Sequence, residues 1–308
     1  MLFRSGLLAY AGTCVLPPFY SESFRFSLYP LYDRWVSRQL QPGDCIISSY
    51  AYVNACFSWV RQHGGTTMLD GGNSHPDNFW EILVEEHKRW NCSTPPVAKF
   101  YHKRARRMMA DVDYVLSPSS YVRNSFLSRG FKADQILDVL YAVDLSCYQP
   151  PTEPRPANRP LTIVNTASLS LRKGTPYLLE AFRLIRRDVP DARLLLTEIV
   201  ADSVKPILAK YRDLPIEWSP PTGKEKLADR LRSADIFILP SLEEGLVRTA
   251  MEAMACGLPV VLTPHTGTSD LVSPGVNGTV TAWPARASCW AAASPAGPPP
   301  TMATFLPV

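Results

Sequence analysis

The sequence predicts an α/β protein of two domains, each built around a parallel sheet. Three observations carry that expectation. Short runs rich in Val, Ile and Leu alternate with amphipathic helical stretches, at the pacing of βαβ units. The chain has 308 residues, more than one small core needs and enough for two. A proline-rich stretch divides it: Tyr148 to Pro160 holds five prolines in thirteen residues and can be neither helix nor central strand. The expected organisation is residues 1–150 as a first domain, 151–160 as a linker, 161–282 as a second domain and 283–308 as an irregular tail.

The second domain is the more regular. Leu161–Ala167 is a β-branched run and reads as a buried strand, followed by a helix over Thr175–Asp188 with Tyr177, Leu178, Ala181, Phe182 and Ile185 at helical spacing. Ala192–Thr197 is the next strand. A polar helix (Ser203–Tyr211), a short strand (Pro215–Trp218) and a helix (Lys224–Ser233) come next. Then follow the apolar strand Asp235–Leu239, a helix from about Leu246 to Ala255, and the strand Leu258–Leu262. Right-handed crossovers between such strands cover both faces of the sheet, and ligands bind beyond the strands' carboxyl ends. In the first domain Asp44–Ser49, Thr66–Asp70 and Asp113–Ser117 read as strands. Asn54–Gln62, Phe79–Trp90 and Pro96–Met109 read as helices, and Ser119 or Ser120 caps a further helix that ends near Gly130.

Composition narrows the function. With 46% hydrophobic and 19% charged residues the chain is not collagen, coiled coil or wholesale disorder. No run of apolar residues is long enough for a spanning helix. The net charge of +4 is too mild for an obligate nucleic-acid binder. The seven cysteines (Cys14, Cys45, Cys56, Cys92, Cys147, Cys256, Cys289) are odd in number and never spaced as CxxC, which fits reduced thiols in a cytoplasmic protein. Met1–Gly12 faintly imitates a signal peptide but lacks a clean cleavage site, so buried structure is the preferred reading. The 29 prolines are about twice the number expected at average usage. They concentrate in the linker and in Trp283–Val308, a segment with seven Ala and six Pro and only one charge, Arg286.

The richest chemistry lies in Leu239-Pro-Ser-Leu-Glu-Glu-Gly-Leu-Val-Arg-Thr-Ala-Met-Glu-Ala-Met-Ala-Cys-Gly-Leu-Pro-Val-Val261. A strand ends at Pro240, a turn follows and a helix begins, so free N–H groups and the helix dipole form an anion site. Glu244 and Glu252 are eight positions apart, up to about 12 Å along a helix axis, enough for two carboxylates to meet hydroxyls on either side of a bound diphosphate. The plainer alternative makes Glu243 and Glu244 partners of the dipole and Glu252 part of a solvated face. Glu252 sits among Ala250, Met251, Ala253 and Met254, however, where a carboxylate needs a polar partner.

The E-x7-E spacing inside P-S-x-x-E-G…E-A-M-A-C-G-L-P-V resembles the signature of the retaining, group 1 (family 4) glycosyltransferases of GT-B fold. Gly275-Val-Asn-Gly278 is similar to that family's G-x-N-G turn, Arg172-Lys-Gly-Thr-Pro-Tyr-Leu-Leu-Glu-Ala-Phe182 to its K-G-x-x-x-L-L-x-A-F segment, and Tyr141-Ala-Val-Asp-Leu145 to the passage before its linker. The resemblance covers roughly residues 40 to 281. It implies a GT-B type fold: two Rossmann-like domains with parallel sheets facing a cleft, the N-terminal one incomplete. It also implies a nucleotide-diphosphate-sugar donor on the C-terminal domain and a saccharide, lipid-linked or small-molecule acceptor on the N-terminal one, with no metal and no further cofactor. By that resemblance Glu244 contacts the donor sugar, Glu252 holds the ribose hydroxyls, Lys173 neutralises the diphosphate, and the N–H groups of Gly245, Leu246 and Val247 cradle it. Ser168 stands where the family carries a second phosphate cation and offers a hydrogen bond without charge. Glu198-Ile-Val200 replaces a Gly-rich passage usual in relatives.

In the first domain the resemblance makes His75, in the loop Leu69-Asp-Gly-Gly-Asn-Ser-His-Pro76, the candidate facing the donor sugar, with Asp70 and Asn73 shaping the loop. An imidazole there suits a proton carrier at neutral pH; a backbone-capping His is an equal alternative. His63 and His87 assemble no metal site with it. The basic run Lys99, His102, Lys103, Arg104, Arg106 and Arg107 reads first as a solvated helix face. A surface for anionic lipid, peripheral at the inner membrane face, is the secondary reading. The rival to an active transferase is an inactive or fragmentary nucleotide-sugar binder, which the Ser168 substitution and both chain ends favour. A truncation or shifted reading frame is the expectation for the tail. A dinucleotide-dependent Rossmann enzyme is disfavoured, because no GxGxxG follows a strand.

Overall fold

The structure is a computed structural model of the chain and describes residues 28–153 and 158–281. The apolar N-terminal stretch, the Ala/Pro-rich tail, Cys14 and Cys289 lie outside the described residues. Among those described, residues up to Ala142 together with Glu243–Leu246 form one compact unit. Val143–Leu242 and the residues from Val247 onward form the second. The change of unit thus falls ahead of the proline-rich stretch, because Val143–Pro150 packs on helices of the second unit.

The first unit holds a four-stranded parallel sheet in the order β1 (Cys45–Ser49), β2 (Thr66–Asp70), β3 (Tyr114–Ser117), β4 (Ile136–Asp138). Its helices are α1 (Tyr29–Ser37), α2 (Ala55–Gln62), α3 (Pro76–Arg89), α4 (Pro96–Met108) and α5 (Ser120–Leu127). Proline occupies the first turn of α1, α3 and α4, where its missing N–H has no intrahelical partner to lose. Ser119 caps α5, its Oγ accepting from the Val122 N–H at 3.3 Å. The helix stops at Leu127, earlier than the expected Gly130.

Sequential strand order combined with right-handed crossovers sends the connecting helices to one face of the sheet. The core forms there: Ile46, Leu69, Val115 and Ile136 from the strands meet Val36, Phe57, Val60, Met108 and Phe126 from the helices. On the opposite face Ile47, Tyr114 and Leu137 are 53%, 37% and 40% exposed. Asp33 of α1 locks the helical layer. Its carboxylate accepts from the N–H groups of Asn54, Ala55 and Cys56 at 2.7–3.0 Å, capping α2 from outside, and pairs with Arg104 of α4 at 3.3 Å.

The second unit holds a six-stranded parallel sheet in the order β10-β9-β8-β5-β6-β7. The strands are β5 (Thr162–Asn165), β6 (Arg193–Thr197), β7 (Ile216–Ser219), β8 (Ile236–Leu239), β9 (Val260–Leu262) and β10 (Gly278–Val280). Between them run α6 (Thr175–Asp188), α7 (Lys205–Leu208), α8 (Lys224–Ser233) and α9 (Arg248–Ala255). The chain builds outward from β5 through β6 to β7, then returns to lay β8 on the other side of β5. The strand order therefore reverses between β5 and β8. Three elements go unmarked in the sequence reading: α1, β4 and β10. Helix α9 begins at Arg248, later than the expected Leu246. No helix among the described residues is long and apolar enough to cross a membrane.

Replacing Asp33 by Ala strands the guanidinium of Arg104, whose side chain is only 13% exposed. The expected loss is about 3 kcal/mol of stability, read by urea denaturation. A loss within experimental error would show that Asp33 does not lock this layer.

Candidate functional site

An open parallel sheet offers its binding crevice where strand order reverses, beyond the carboxyl ends of the strands. In the second unit that point is the gap between β5 and β8. Asn165, the last residue of β5, bridges it. Its Nδ2 donates to the Ile238 carbonyl at 2.8 Å, and its Oδ1 accepts from the Ala167 N–H at 2.9 Å, which fixes where the outgoing loop starts. Sequence reasoning passed over this residue, although a lone Asn ending a buried apolar strand must find such partners.

The loop after β5 and the loop after β8 are pressed together. The Leu242 N–H donates to the Arg172 carbonyl at 2.9 Å. Gly174 has φ +69°, and a Cβ on it would stand 1.8 Å from the Pro240 carbonyl oxygen, so only glycine fits. Lys173, whose N–H donates to Ser170 Oγ at 3.2 Å, is thereby held at the crevice with its side chain half-buried. Ser168 is half-buried in the same loop, and its neighbour Leu169 exchanges backbone hydrogen bonds with Ile199 and Ala201 beyond the end of β6. Thr166 Oγ1, Thr175 Oγ1 and Ser241 Oγ are shielded from solvent in these loops with no protein hydrogen-bond partner. Each such oxygen costs about 1–3 kcal/mol, and all three lie in segments that meet at the crevice.

Glu252 lies half-buried on α9. Burial pushes its carboxyl up from the ordinary range, against the pull of a Tyr148 hydrogen bond and of the Arg248 and Lys224 charges. The expected cradle of three N–H groups is corrected at one position. The helix begins at Arg248, two residues later than expected, and the Val247 N–H at its N-cap donates to Thr268 Oγ1 at 2.7 Å, so that donor is already used. Gly245 and Leu246 fall in the short segment that clusters with the first unit.

Within that first unit Glu243 is fully buried, and its Oε1 accepts from the Ser74 N–H at 2.8 Å. Ser119 Oγ donates to the Gly245 carbonyl at 2.7 Å, and a Cβ on Gly245 would stand 2.1 Å from the Gly72 carbonyl oxygen. Glu244 is also buried. Glu243 is therefore a structural carboxylate, distinct from its neighbour in a way the sequence does not mark. Asp70 accepts from Ser49 Oγ and from the Tyr141 hydroxyl, and Tyr50 donates to the Asn73 carbonyl at 2.6 Å, so the loop from Asp70 to His75 is tied at several points.

His75 is the N-cap of α3. Its Nδ1 accepts from the Asp77 N–H at 3.2 Å, its own N–H donates to Ser125 Oγ, and Phe126 and Phe131 meet its ring edge-on. Burial pushes its pKa down to about 4. The imidazole is therefore neutral near pH 7, with its proton on Nε2, and the expectation of a proton carrier at neutral pH gives way to a capping group. In the basic run of α4, Arg104 points inward to the Ala51 and Tyr52 carbonyls. His102 pairs with Asp77 and stacks on Trp80, which leaves Lys99, Lys103, Arg106 and Arg107 as the exposed cations. No cluster that could hold a metal ion occurs among the described residues.

Residues 160–294 match the family Glycosyl transferases group 1. Over those residues the chain is similar to that family. The match contains Ser168, Lys173, Glu244 and Glu252. The amylovoran biosynthesis glycosyltransferase AmsK of Erwinia amylovora is 31% identical over 258 residues, covering 77% of the chain and 57% of that relative. The chain spans about half the length of the curated relatives it matches. Among solved structures, sucrose-phosphate synthase from Thermosynechococcus elongatus is similar over 90% of the chain and 71% of its own length, with a TM-score of 0.65 and 20% identity. HepE of Anabaena, solved in complex with UDP and glucose, is similar over 87% of the chain and 70% of its own length, with a TM-score of 0.59 and 17% identity. At these identities the likeness carries the fold, which is α/β and of GT-B type, with Rossmann-like parallel sheets.

Two outcomes test the site's construction. Gly174→Ala must part the two crevice loops and should lower stability by more than about 1 kcal/mol, read by urea denaturation. For His75 the folded state disfavours the proton, so its contribution is complete above about pH 6.5, the ordinary value, and is lost as pH falls toward 4. His75→Asn keeps a capping side chain and should flatten the fall in thermal midpoint between pH 7 and pH 5. An unchanged slope in that variant would show that His75 is not the buried neutral group described.

Proposed function

We propose that the chain transfers a hexose from a nucleoside-diphosphate-sugar donor to an acceptor hydroxyl with retention of configuration, and that the crevice loops of the second unit hold the donor's diphosphate. The observation that carries this reading is the placement of Lys173 together with the hydroxyls of Thr166, Thr175 and Ser241 at the strand-order switch. Hydroxyl donors without protein acceptors, in the same loops as a cation, suit an anion rich in acceptor oxygens. HepE, the relative solved with UDP and glucose, supports the same ligand class.

In this reading Lys173 neutralises the diphosphate, Ser168 adds an uncharged hydrogen bond, and Glu252 accepts from the ribose hydroxyls. Glu244 meets the hydroxyls of the donor sugar, the N–H groups of Gly245 and Leu246 complete the anion cradle, and His75 offers a neutral Nε2–H donor. The bond from the anomeric carbon to the phosphate oxygen breaks, and the electron pair leaves with the diphosphate. The acceptor oxygen bonds to the same face of the sugar, and its proton passes to the departing phosphate oxygen. Cations and oriented dipoles at that oxygen stabilise the charge that develops there. The acceptor is a saccharide, a lipid-linked molecule or a small molecule that carries a hydroxyl.

A second reading, an inactive nucleotide-sugar binder, is favoured by Ser168, which leaves the crevice loop one cation short. Calorimetric titration with UDP, GDP and ADP decides between binding and no binding. Lys173→Ala and Glu252→Ala should each weaken the bound nucleotide about tenfold or more. Binding that survives both substitutions would remove the donor-site assignment. A donor that binds but is neither hydrolysed nor transferred would favour the second reading.

A further inference from the structure

Three threonines follow β9 in the chain, and Thr263, Thr266 and Thr268 are each at most 2% exposed. Hydroxyls buried that completely need partners, and all three find them in the backbone. Thr263 Oγ1 donates to the Ser241 carbonyl, in the loop that leaves β8. Thr266 Oγ1 donates to the Thr263 carbonyl at 2.6 Å, and the Thr266 N–H donates to the same oxygen at 3.2 Å. Thr268 reaches the start of α9. Its Oγ1 accepts from the Val247 N–H at 2.7 Å and donates to the Val247 carbonyl at 3.3 Å.

Helix α9 has no side-chain cap of its own, because the residue at its N-cap is Val247. One hydroxyl, 21 positions along the chain, therefore holds both backbone groups of that residue. The Val247 carbonyl also accepts from the Ala250 and Met251 N–H groups at 3.2 and 3.3 Å, so the first turn of the helix hangs on the clamped peptide. With the Val247 N–H taken, the next donors are the N–H groups of Arg248 and Thr249. At the first two helical positions they have no acceptor within the helix, and they carry the positive end of its dipole.

The same loop grips the other side of the crevice. Ser241, whose carbonyl Thr263 holds, has an Oγ shielded from solvent with no protein hydrogen-bond partner. Its neighbour Leu242 joins the loop of Lys173 through the Arg172 carbonyl.

We propose that Thr268 is a positioning residue for the donor's diphosphate: by clamping the Val247 peptide it presents the Arg248 and Thr249 N–H groups to the phosphate oxygens. The proposal rests on the donor reading above and names the α9 donors that remain once Val247 is excluded. Backbone donors fixed before the ligand arrives need no ordering when it binds, and freeing them costs affinity. Glu252 lies a turn further along, where Ala253 and Cys256 hold the helix in the core. The clamp therefore bears on the phosphates and leaves the nucleoside's contacts in place.

The test uses the full chain with Thr268→Val, which keeps the shape and deletes the hydroxyl, and Thr268→Ser, which keeps the hydroxyl. Leu194→Ala, a cavity in β6, lowers stability without altering either partner of the clamp. UDP, GDP and ADP are titrated by calorimetry well below the thermal midpoint of every variant, and the matching nucleosides by NMR. In Thr268→Val the bound nucleoside diphosphate should weaken about tenfold and the nucleoside should not. Thr268→Ser and Leu194→Ala should keep the affinity of the unmodified chain. In amide spectra of the unmodified chain, the diphosphate should move the Arg248 and Thr249 signals downfield and the nucleoside should leave them. Those spectra decide the matter even where Thr268→Val does not fold. Equal diphosphate affinity in Thr268→Val, or binding without movement of those two amides, overturns the proposal and leaves the donor reading standing. A loss in Thr268→Ser as large as in Thr268→Val overturns it too, because the hydroxyl is kept. Equal losses for nucleoside and diphosphate, or an equal loss in Leu194→Ala, overturn it by tracing the effect to general loosening. Absence of nucleoside diphosphate binding in the unmodified chain overturns both.

Discussion

The close approach of Gly174 to the Pro240 carbonyl governs the second unit. It joins two loops that leave adjacent strands, β5 and β8, at the point where strand order reverses. With any side chain at residue 174 the loops would separate, and Lys173 would lose its place. Backbone packing thus fixes where the lysine leaves the chain. Asn165 sets the same loop from below by bridging β5 to β8. Two uncharged residues therefore determine where the charge sits.

The first unit depends on buried polar groups in the same way. Asp33 satisfies three N–H groups at the start of α2, which has no side-chain cap of its own, and compensates Arg104. Arg104 in turn holds the carbonyls of Ala51 and Tyr52, in a turn where Ala51 adopts φ +63°. A non-glycine residue in that region persists only when its surroundings over-determine it. Tyr50, beside this turn, ties down Asn73 in the loop that leads to His75. The imidazole is then enclosed among Phe126, Phe131 and the start of α3. Its neutrality follows from that enclosure.

The repeating core of the fold was legible because buried strands and amphipathic helices leave strong periodic signals. Thr66–Asp70, Thr175–Asp188 and Lys224–Ser233 read from the sequence as they stand in the structure. The three unmarked elements lack such signals. Strands β4 and β10 are three residues each, too short for any alternation to show. Helix α1 buries only Asp33 and Val36 and exposes Leu31 and Trp35, so its pattern runs against an ordinary amphipathic reading. At the site, spacing singled out Glu244 and Glu252, and the family resemblance added Lys173, but the sequence could not separate Glu243 from Glu244. That distinction comes from the Ser74 N–H, which is 169 positions away in the chain. Nor could it show that Thr268 takes the Val247 N–H, another pairing between distant positions.

The stretch from Val143 to Pro150 shows why composition misplaces a boundary. Its single proline, Pro150, opens the proline-rich run to Pro160 that reads as connector, which leaves the residues before it with the first domain in the sequence reading. Absence of regular structure is not absence of packing. Pro150 needs no N–H partner where it meets Gly257, and the residues before it supply the polar contacts that α8 and α9 require. Tyr148 fills the core that Val247, Ala250 and Ala253 leave open. The same packing buries the Tyr148 ring beside α9, the helix that carries Glu252. An irregular segment thereby becomes part of the framework around a candidate binding carboxylate, and its sequence is constrained by the chemistry of α9 as much as by the need to connect two sheets.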